Sequence, residues 1–296
     1  MIKKLFNANN PKLLRNALPI KNPEVLSFIK KTDKNNFFFK AIQDPTIKDK
    51  FLSKYFKWIQ TSKLNKLKGL PKFKNISYVH GTSQSFDFFN AEYKDHRFRC
   101  FKGEFFYHKI SWRKNFKFSY LDDDKIKKND AVIISVPFSD NGFLHTETLS
   151  VLEQCDVLDV PVLIDLAYYN LVRGLNFSLN RPSIKVVTFS LSKGFFPLDR
   201  FRVGIRCKKE FSDDPVDFFN SLDIINKPGA ALGLKIIKKF SPDYNQNKFR
   251  KKQLEICSLF GLEPSQCVTF GLGGEEYLKF NRGSHWNRVC ISNFLI

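Results

Sequence analysis

Along residues 76–210 short apolar runs recur, each followed by a turn and a helix-like stretch, the pattern of a parallel sheet covered on both faces. Residues 131–136 form a continuous, largely β-branched run that Pro137 closes. A second run ends on Asp165, and a third, residues 186–189, ends near Ser190. Residues 76–79, 97–101, 116–120 and 201–207 predict four more strands. Between them, helical spacing predicts a helix over 85–93, with Phe86, Phe89 and Ala91, and another over 144–157, with Leu149, Leu152 and Val157 inward.

The ends of the chain read differently. Residues 1–75 are helices and loops punctuated by Pro11, Pro19, Pro23 and Pro45. Within them, residues 47–67 predict one helix from Phe51, Leu52, Tyr55, Phe56, Ile59, Leu64 and Leu67. Past residue 210 a Gly/Ala-rich helix entry at 228–233 leads to a helix with a basic face over 244–260 and a β-like run at 287–292. The expected organisation is an N-terminal helical segment (1–75), a large core (76–210), connecting helices (211–240) and a small C-terminal αβ domain (241–296).

The polar residues that interrupt this pattern cluster at strand ends. Asp165 closes one strand, Tyr168 follows three residues later, and Lys193 sits in a Ser-rich turn after the next strand, so the three share the rim where open α/β sheets bind ligands. An amine placed just after an apolar strand is partly desolvated, which lowers its pKa and makes it a usable base. Gly81-Thr82-Ser83-Gln84 lies between an apolar run and a helix start, where free N–H groups and the helix dipole suit a phosphate; a simple Ser/Thr cap is the plainer alternative. The triple Asp122-Asp123-Asp124 points in different directions and predicts a solvated cap rather than a metal site.

Asp165-Leu166-Ala167-Tyr168, Ser190-Leu191-Ser192-Lys193 and Arg202-Val203-Gly204 match, in order, the D-x-A-Y, S-x-S-K and R-[VI]-G patterns of the class I/II aminotransferases, which this sequence resembles. Gly81 to Gln84 looks like that family's G-x-S-Q phosphate turn, and residues 131–142 look like the strand entering its N-P-x-N-P-T-G turn. The resemblance covers residues 75–210 and implies an α/β fold of three layers: a mostly parallel sheet flanked by helices (fold type I), with a small, shortened C-terminal αβ domain. Residues 201–207 would be the one strand running against the rest.

The resemblance also implies pyridoxal 5′-phosphate (PLP) as cofactor and a reaction moving an amino group between an amino acid and a 2-oxo acid. Lys193 would hold the aldehyde as a Schiff base and carry the proton, Asp165 would pair with the pyridinium nitrogen, and Tyr168 would donate to the phenolic oxygen. Ser190, Arg202 and the turn Gly81, Thr82, Ser83 and Gln84 would hold the phosphate, with Arg200 a competitor for Arg202 because the spacing from Lys193 is one residue long, and Ser192 would be a further cofactor-binding residue. Phe105 would stack on the ring, with Phe106 and Tyr107 as alternatives. The family asparagine of the turn has no direct counterpart in Pro-Phe-Ser-Asp-Asn-Gly; Asn141 is the expected substitute, beside Ser139 and Asp140. Arg288 would bind the substrate carboxylate, with Arg282 as the alternative. A homodimer is implied as well. Decarboxylase or lyase chemistry on the same fold, and a non-catalytic binding homologue, are the rival readings.

Composition changes this picture little. The formal charge is +20, from 49 basic and 29 acidic residues, but the lysines are scattered, which argues against a dedicated nucleic-acid footprint. The six cysteines (100, 155, 207, 257, 267, 290) include no C-x-x-C pair and no histidine at metal-ligand spacing, so reduced thiols and no metal are expected. The opening MIKKLFNANNPKLL has no apolar run of signal-peptide length and no later stretch could span a membrane, so a cytoplasmic enzyme is expected.

Overall fold

The computed structural model of the chain describes residues 16–32, 36–109, 116–212 and 214–296. Its helices are α1 (Pro23–Thr32), α2 (Phe37–Gln43), α3 (Ile47–Ile59), α4 (Thr82–Glu92), α5 (Thr148–Leu158), α6 (Leu198–Phe201), α7 (Pro215–Ser221), α8 (Lys227–Lys239) and α9 (Tyr244–Phe260). Its strands are β1 (Lys66–Lys68), β2 (Asn75–His80), β3 (Arg97–Cys100), β4 (Phe118–Tyr120), β5 (Asp130–Ser135), β6 (Val162–Leu166), β7 (Asn176–Ser178), β8 (Ile184–Ser190), β9 (Val203–Lys208), β10 (Glu263–Pro264), β11 (Phe270–Gly273) and β12 (Asn287–Cys290).

Seven strands form one sheet in the order β2-β9-β8-β6-β5-β3-β4. Every pairing within it is parallel except those of β9, which runs antiparallel to both β2 and β8. Strand alternation sorts the side chains into two cores. Ala131, Ile133, Leu163 and Val186 face Phe86 and Phe89 of α4, while Val132, Ile134, Ile164 and Val187 join the larger core with α3, α5 and α8. Each fully buried Val or Ile contributes roughly 1.5–3 kcal/mol, so the register is strongly held. Helix α8 starts where its residues allow: the Asn226 side chain accepts a hydrogen bond from Gly229 N, and Pro228 sits in the first turn.

The C-terminal part packs α9 on a three-stranded antiparallel sheet, β10-β11-β12, through Phe249, Ile256, Cys257, Phe270 and Val289. No helix among the described residues is long and apolar enough to cross a membrane. All six cysteines are buried and free.

Several elements differ from their periodicity. The helix expected over 47–67 stops at Ile59; Ser62 and Lys63 are tied to the Asp243 carboxylate, and Leu67 enters β1, which pairs parallel with β7. In α5, Leu149 (49 % exposed) and Val157 (85 % exposed) face outward, because Val151, Leu152 and Cys155 take the inner stripe. Helix α4 begins at Thr82, so the expected phosphate turn is already the first helical turn. Asp124 is no solvated cap: Arg97 and Arg99 both donate to its carboxylate.

Candidate active site

The polar groups singled out at strand ends converge on one cavity of about 700 Å³ at the carboxyl edge of the sheet. Asp165, at the end of β6, is buried in its wall and accepts a hydrogen bond from Ala167 N at 3.0 Å. Burial, with the Glu104 carboxylate nearby, pushes its pKa up to about 8, although Ala167 N and the Thr82 hydroxyl oppose the shift. Tyr168 lines the same wall and packs edge-on against Phe270 at 5.4 Å; burial pushes its phenol up.

Lys193 follows β8 after the turn that Ser190 and Ser192 build. Ser192 N donates to Ser190 Oγ at 3.1 Å, and the Ser192 hydroxyl donates to Leu198 O at 3.4 Å. Both serines line the cavity. The Lys193 amine donates to Ala17 O at 2.8 Å, and burial holds its pKa below the usual lysine range. Asn16, Ala17 and Leu18 thereby form part of the cavity wall.

At the first turn of α4, Thr82 and Ser83 line the cavity, and Arg202 donates to Ser83 Oγ at 2.6 Å. Arg202 sits in the left-handed region (φ 55°), which swings its guanidinium over Gly81. A Cβ at Gly81 would lie 2.7 Å from Arg202 Nη2, and Gly81 itself has φ 73°, so only glycine suits the position. Gln84 turns away to accept from His80 N at 2.8 Å. Arg200 does not line the cavity; its side chain is 80 % exposed beside Asp199.

Phe105 lines the mouth, 37 % exposed, in edge contact with Phe106 at 5.0 Å. Asn141 is not brought to the cavity: its side-chain oxygen caps the turn by accepting from Phe143 N at 2.9 Å, and its carbonyl accepts from Ser265 Oγ. The turn presents Ser139 instead. Arg288, on β12, is buried in the wall, donates to Ser139 O and stacks its guanidinium 4.5 Å from the Phe270 ring centre. Arg282 lines the cavity too, rather than replacing Arg288; it donates to Glu104 O at 2.9 Å and lies 3.7 Å from Asp140. Burial, with Arg288 beside it, lowers its pKa to about 10.

Sequence reasoning passed over Glu104, because in this stretch only the aromatic residues Phe105, Phe106 and Tyr107 stand out. The fold buries its carboxylate against Ser135 and Ser139. In all, five cationic side chains (Lys109, Lys193, Arg202, Arg282, Arg288) line the cavity against two acids (Glu104, Asp165), a balance suited to anionic ligand groups. Among the described residues no group of three His, Cys, Asp or Glu side chains is placed to hold a metal ion.

No family model matches the sequence, and no curated protein matches it. The fold, by contrast, is shared with solved structures. One is MppP soaked with the product 2-ketoarginine, 15% identical, TM-score 0.67, with 94% of each chain covered. Another is the PLP-bound C-S lyase from Staphylococcus hominis, 11% identical, TM-score 0.62, covering 94% of this chain and 87% of that one. A third is the histidinol-phosphate aminotransferase from Clostridium acetobutylicum, 16% identical, TM-score 0.55, covering 87% and 80%. The chain therefore has the fold of the PLP-dependent transferases, fold type I.

Proposed function

We propose that this protein is a PLP-dependent aminotransferase that moves an amino group between an amino acid and a 2-oxo acid. The observation that supports it most is the meeting of a partly buried lysine amine, Lys193, and a buried carboxyl, Asp165, in one cavity whose rim carries the Arg202–Ser83 pair. The donor set fits the cofactor. Arg202, Ser83, Thr82 and the N-terminal turn of α4 offer cationic and N–H groups to its phosphate. Asp165 offers a carboxyl to its ring nitrogen, and Phe105 offers an aromatic face at the mouth.

PLP, when bound, supplies an electron sink for the pair left on the substrate α-carbon. The protein's own part is positioning and proton transfer. Burial depresses the Lys193 pKa, so its amine reaches the neutral form that attacks an aldehyde and accepts an α-proton more readily than an exposed lysine would. Arg288 and Arg282 place two cationic groups where a substrate carboxylate can be held. The reading includes a homodimer, the assembly the resemblance implies.

Two experiments test it. Purified protein mixed with PLP should turn yellow, and borohydride followed by peptide mass mapping should find the pyridoxyl group on Lys193; label on another lysine overturns the assignment. Lys193→Ala should lose the label and abolish turnover. A panel of amino acids with a 2-oxo acid acceptor should then yield the exchanged pair. Release of carbon dioxide or of a side-chain fragment instead would assign decarboxylase or lyase chemistry to the same residues.

A further inference from the structure

Glu104 stands in the cavity wall beside Asp165, and the resemblance assigns it no role. It leaves β3 through Gly103, whose positive φ of 89° allows the close turn, and its carboxylate is buried against the end of β5. Four neutral donors hold it: Ser135 N at 2.8 Å, Ser135 Oγ at 2.7 Å, Ser139 Oγ at 2.7 Å and Phe105 N at 3.3 Å. Ser135 is also the register partner of Asp165 across β5 and β6, so the Glu104 carboxylate is held on the strand end next to that of Asp165.

The two carboxyls are served unequally. Asp165 has Ala167 N and the Thr82 hydroxyl, while Glu104 has two hydroxyls and two backbone N–H groups; burial raises the Glu104 pKa as well, and the Ser139 and Ser135 hydrogen bonds oppose that rise. Two like charges in one buried cavity disfavour each other, and the carboxyl with more donors is the one that stays ionised. The other charged and titratable groups do not reverse the order. Lys193 faces Asp165 from the turn after β8, but its amine is committed to Ala17 O. Arg282 faces Glu104 from the C-terminal part, but its guanidinium reaches the Glu104 backbone oxygen and lies beside Asp140 rather than the Glu104 carboxylate. Cys100 lies near Glu104, and burial keeps its thiol protonated.

We propose that Glu104 is a positioning residue forming an unequal carboxyl pair with Asp165, in which Glu104 carries the charge and Asp165 the proton. Asp165 then meets a basic ring nitrogen as a proton donor, not as a preformed carboxylate. A proton held at the Asp165 carboxyl would then be available to a basic ring nitrogen, and the fixed charge on Glu104 would favour a cation there, with no net change of charge. That last step rests on the function proposed above; the pair itself does not.

The test is carboxyl ¹³C NMR of the full chain free of cofactor, labelled at the aspartate and glutamate carboxyls, with Asp165 assigned through Asp165→Asn. Asp165 should titrate near pH 8 in the wild type. Glu104→Gln keeps the shape and one acceptor but removes the charge, and should lower the Asp165 midpoint so that proton affinity drops by about tenfold or more. Ser139→Ala, which removes one donor and no charge, should move the midpoint the same way by less, and it serves if the glutamine variant fails to melt cooperatively. An Asp165 midpoint in the ordinary carboxylate range in the wild type, or one that neither variant moves, overturns the pair. No cofactor takes part, so a protein that fails to bind PLP leaves this result standing, and one that binds PLP with an unmoved midpoint sinks only the pair.

Discussion

At Asp165 the proposed chemistry and a pH dependence of stability can be tested on one side chain. If its carboxyl serves the ring nitrogen, Asp165→Asn keeps the shape and removes a charged contact that strengthens in the transition state. That change should slow single-turnover amine transfer by on the order of a hundredfold, about 2.7 kcal/mol. Equal rates in the two proteins would reduce Asp165 to a strand-end cap. The same residue makes a prediction without cofactor. Its folded pKa is raised to about 8 against roughly 4 for an unfolded chain, so its contribution is complete below about pH 4 and is lost as pH rises towards 8. Thermal melts between those values should show the wild type losing stability with rising pH more steeply than Asp165→Asn. Parallel slopes would mean the carboxyl is solvated. Lys193, depressed rather than raised, acts in the opposite direction and is present in both proteins, so the difference between them isolates Asp165.

At the scale of elements, the edge of the sheet depends on a buried ion cluster. Arg99 on β3 is fully buried and donates to Asp130 at 2.6 Å, to Asp124 at 2.7 Å and to the carbonyls of Ser119, Tyr120 and Lys125, so it ties β4 and the following turn to β3 and β5. Burial alone would raise the Asp130 pKa, yet the Arg97, Lys127 N and Arg99 hydrogen bonds hold it below the usual range. Breaking a buried pair by removing one partner leaves an uncompensated charge, so Arg99→Ala should cost about 3–5 kcal/mol in denaturant unfolding. Arg97→Ala, whose side chain is partly exposed, should cost about 1 kcal/mol or less. Similar losses for the two would show that burial does not set the strength of this cluster. None of this could be read from Arg97 to Cys100 as a strand, because the partners lie far along the chain, Asp124 in a turn that local pattern describes as solvated and Asp130 at the start of β5.

For the whole molecule, the exposed apolar side chains Phe211, Phe218, Phe219, Leu222 and Ile224 lie close along the chain, between β9 and α7, on α7 and just after it. Solvent-facing Phe and Leu in such density fit cover by another surface. With the homodimer proposed above, sedimentation should give about twice the 34.6 kDa chain mass. A monomer with full activity would remove the second copy from the reading.

What the sequence by itself determined is the sheet and the identity of its polar rim. Short β-branched runs bounded by turn residues fit strands covered on both faces, and the ends of parallel strands bring Asp165, Ser190 and Lys193 to one edge. Local pattern also located the glycine at 81, though not its reason, which is the guanidinium of a residue more than a hundred positions later. Tertiary structure decided the rest. It chose Arg202 over Arg200 through one left-handed residue, turned Asn141 away into its own loop while presenting Ser139, and brought Arg282 and Arg288 to the cavity together. It also buried Glu104 beside Asp165. A side chain's charge state and direction depend on groups brought near by folding, and no spacing along the chain encodes a neighbour from another strand.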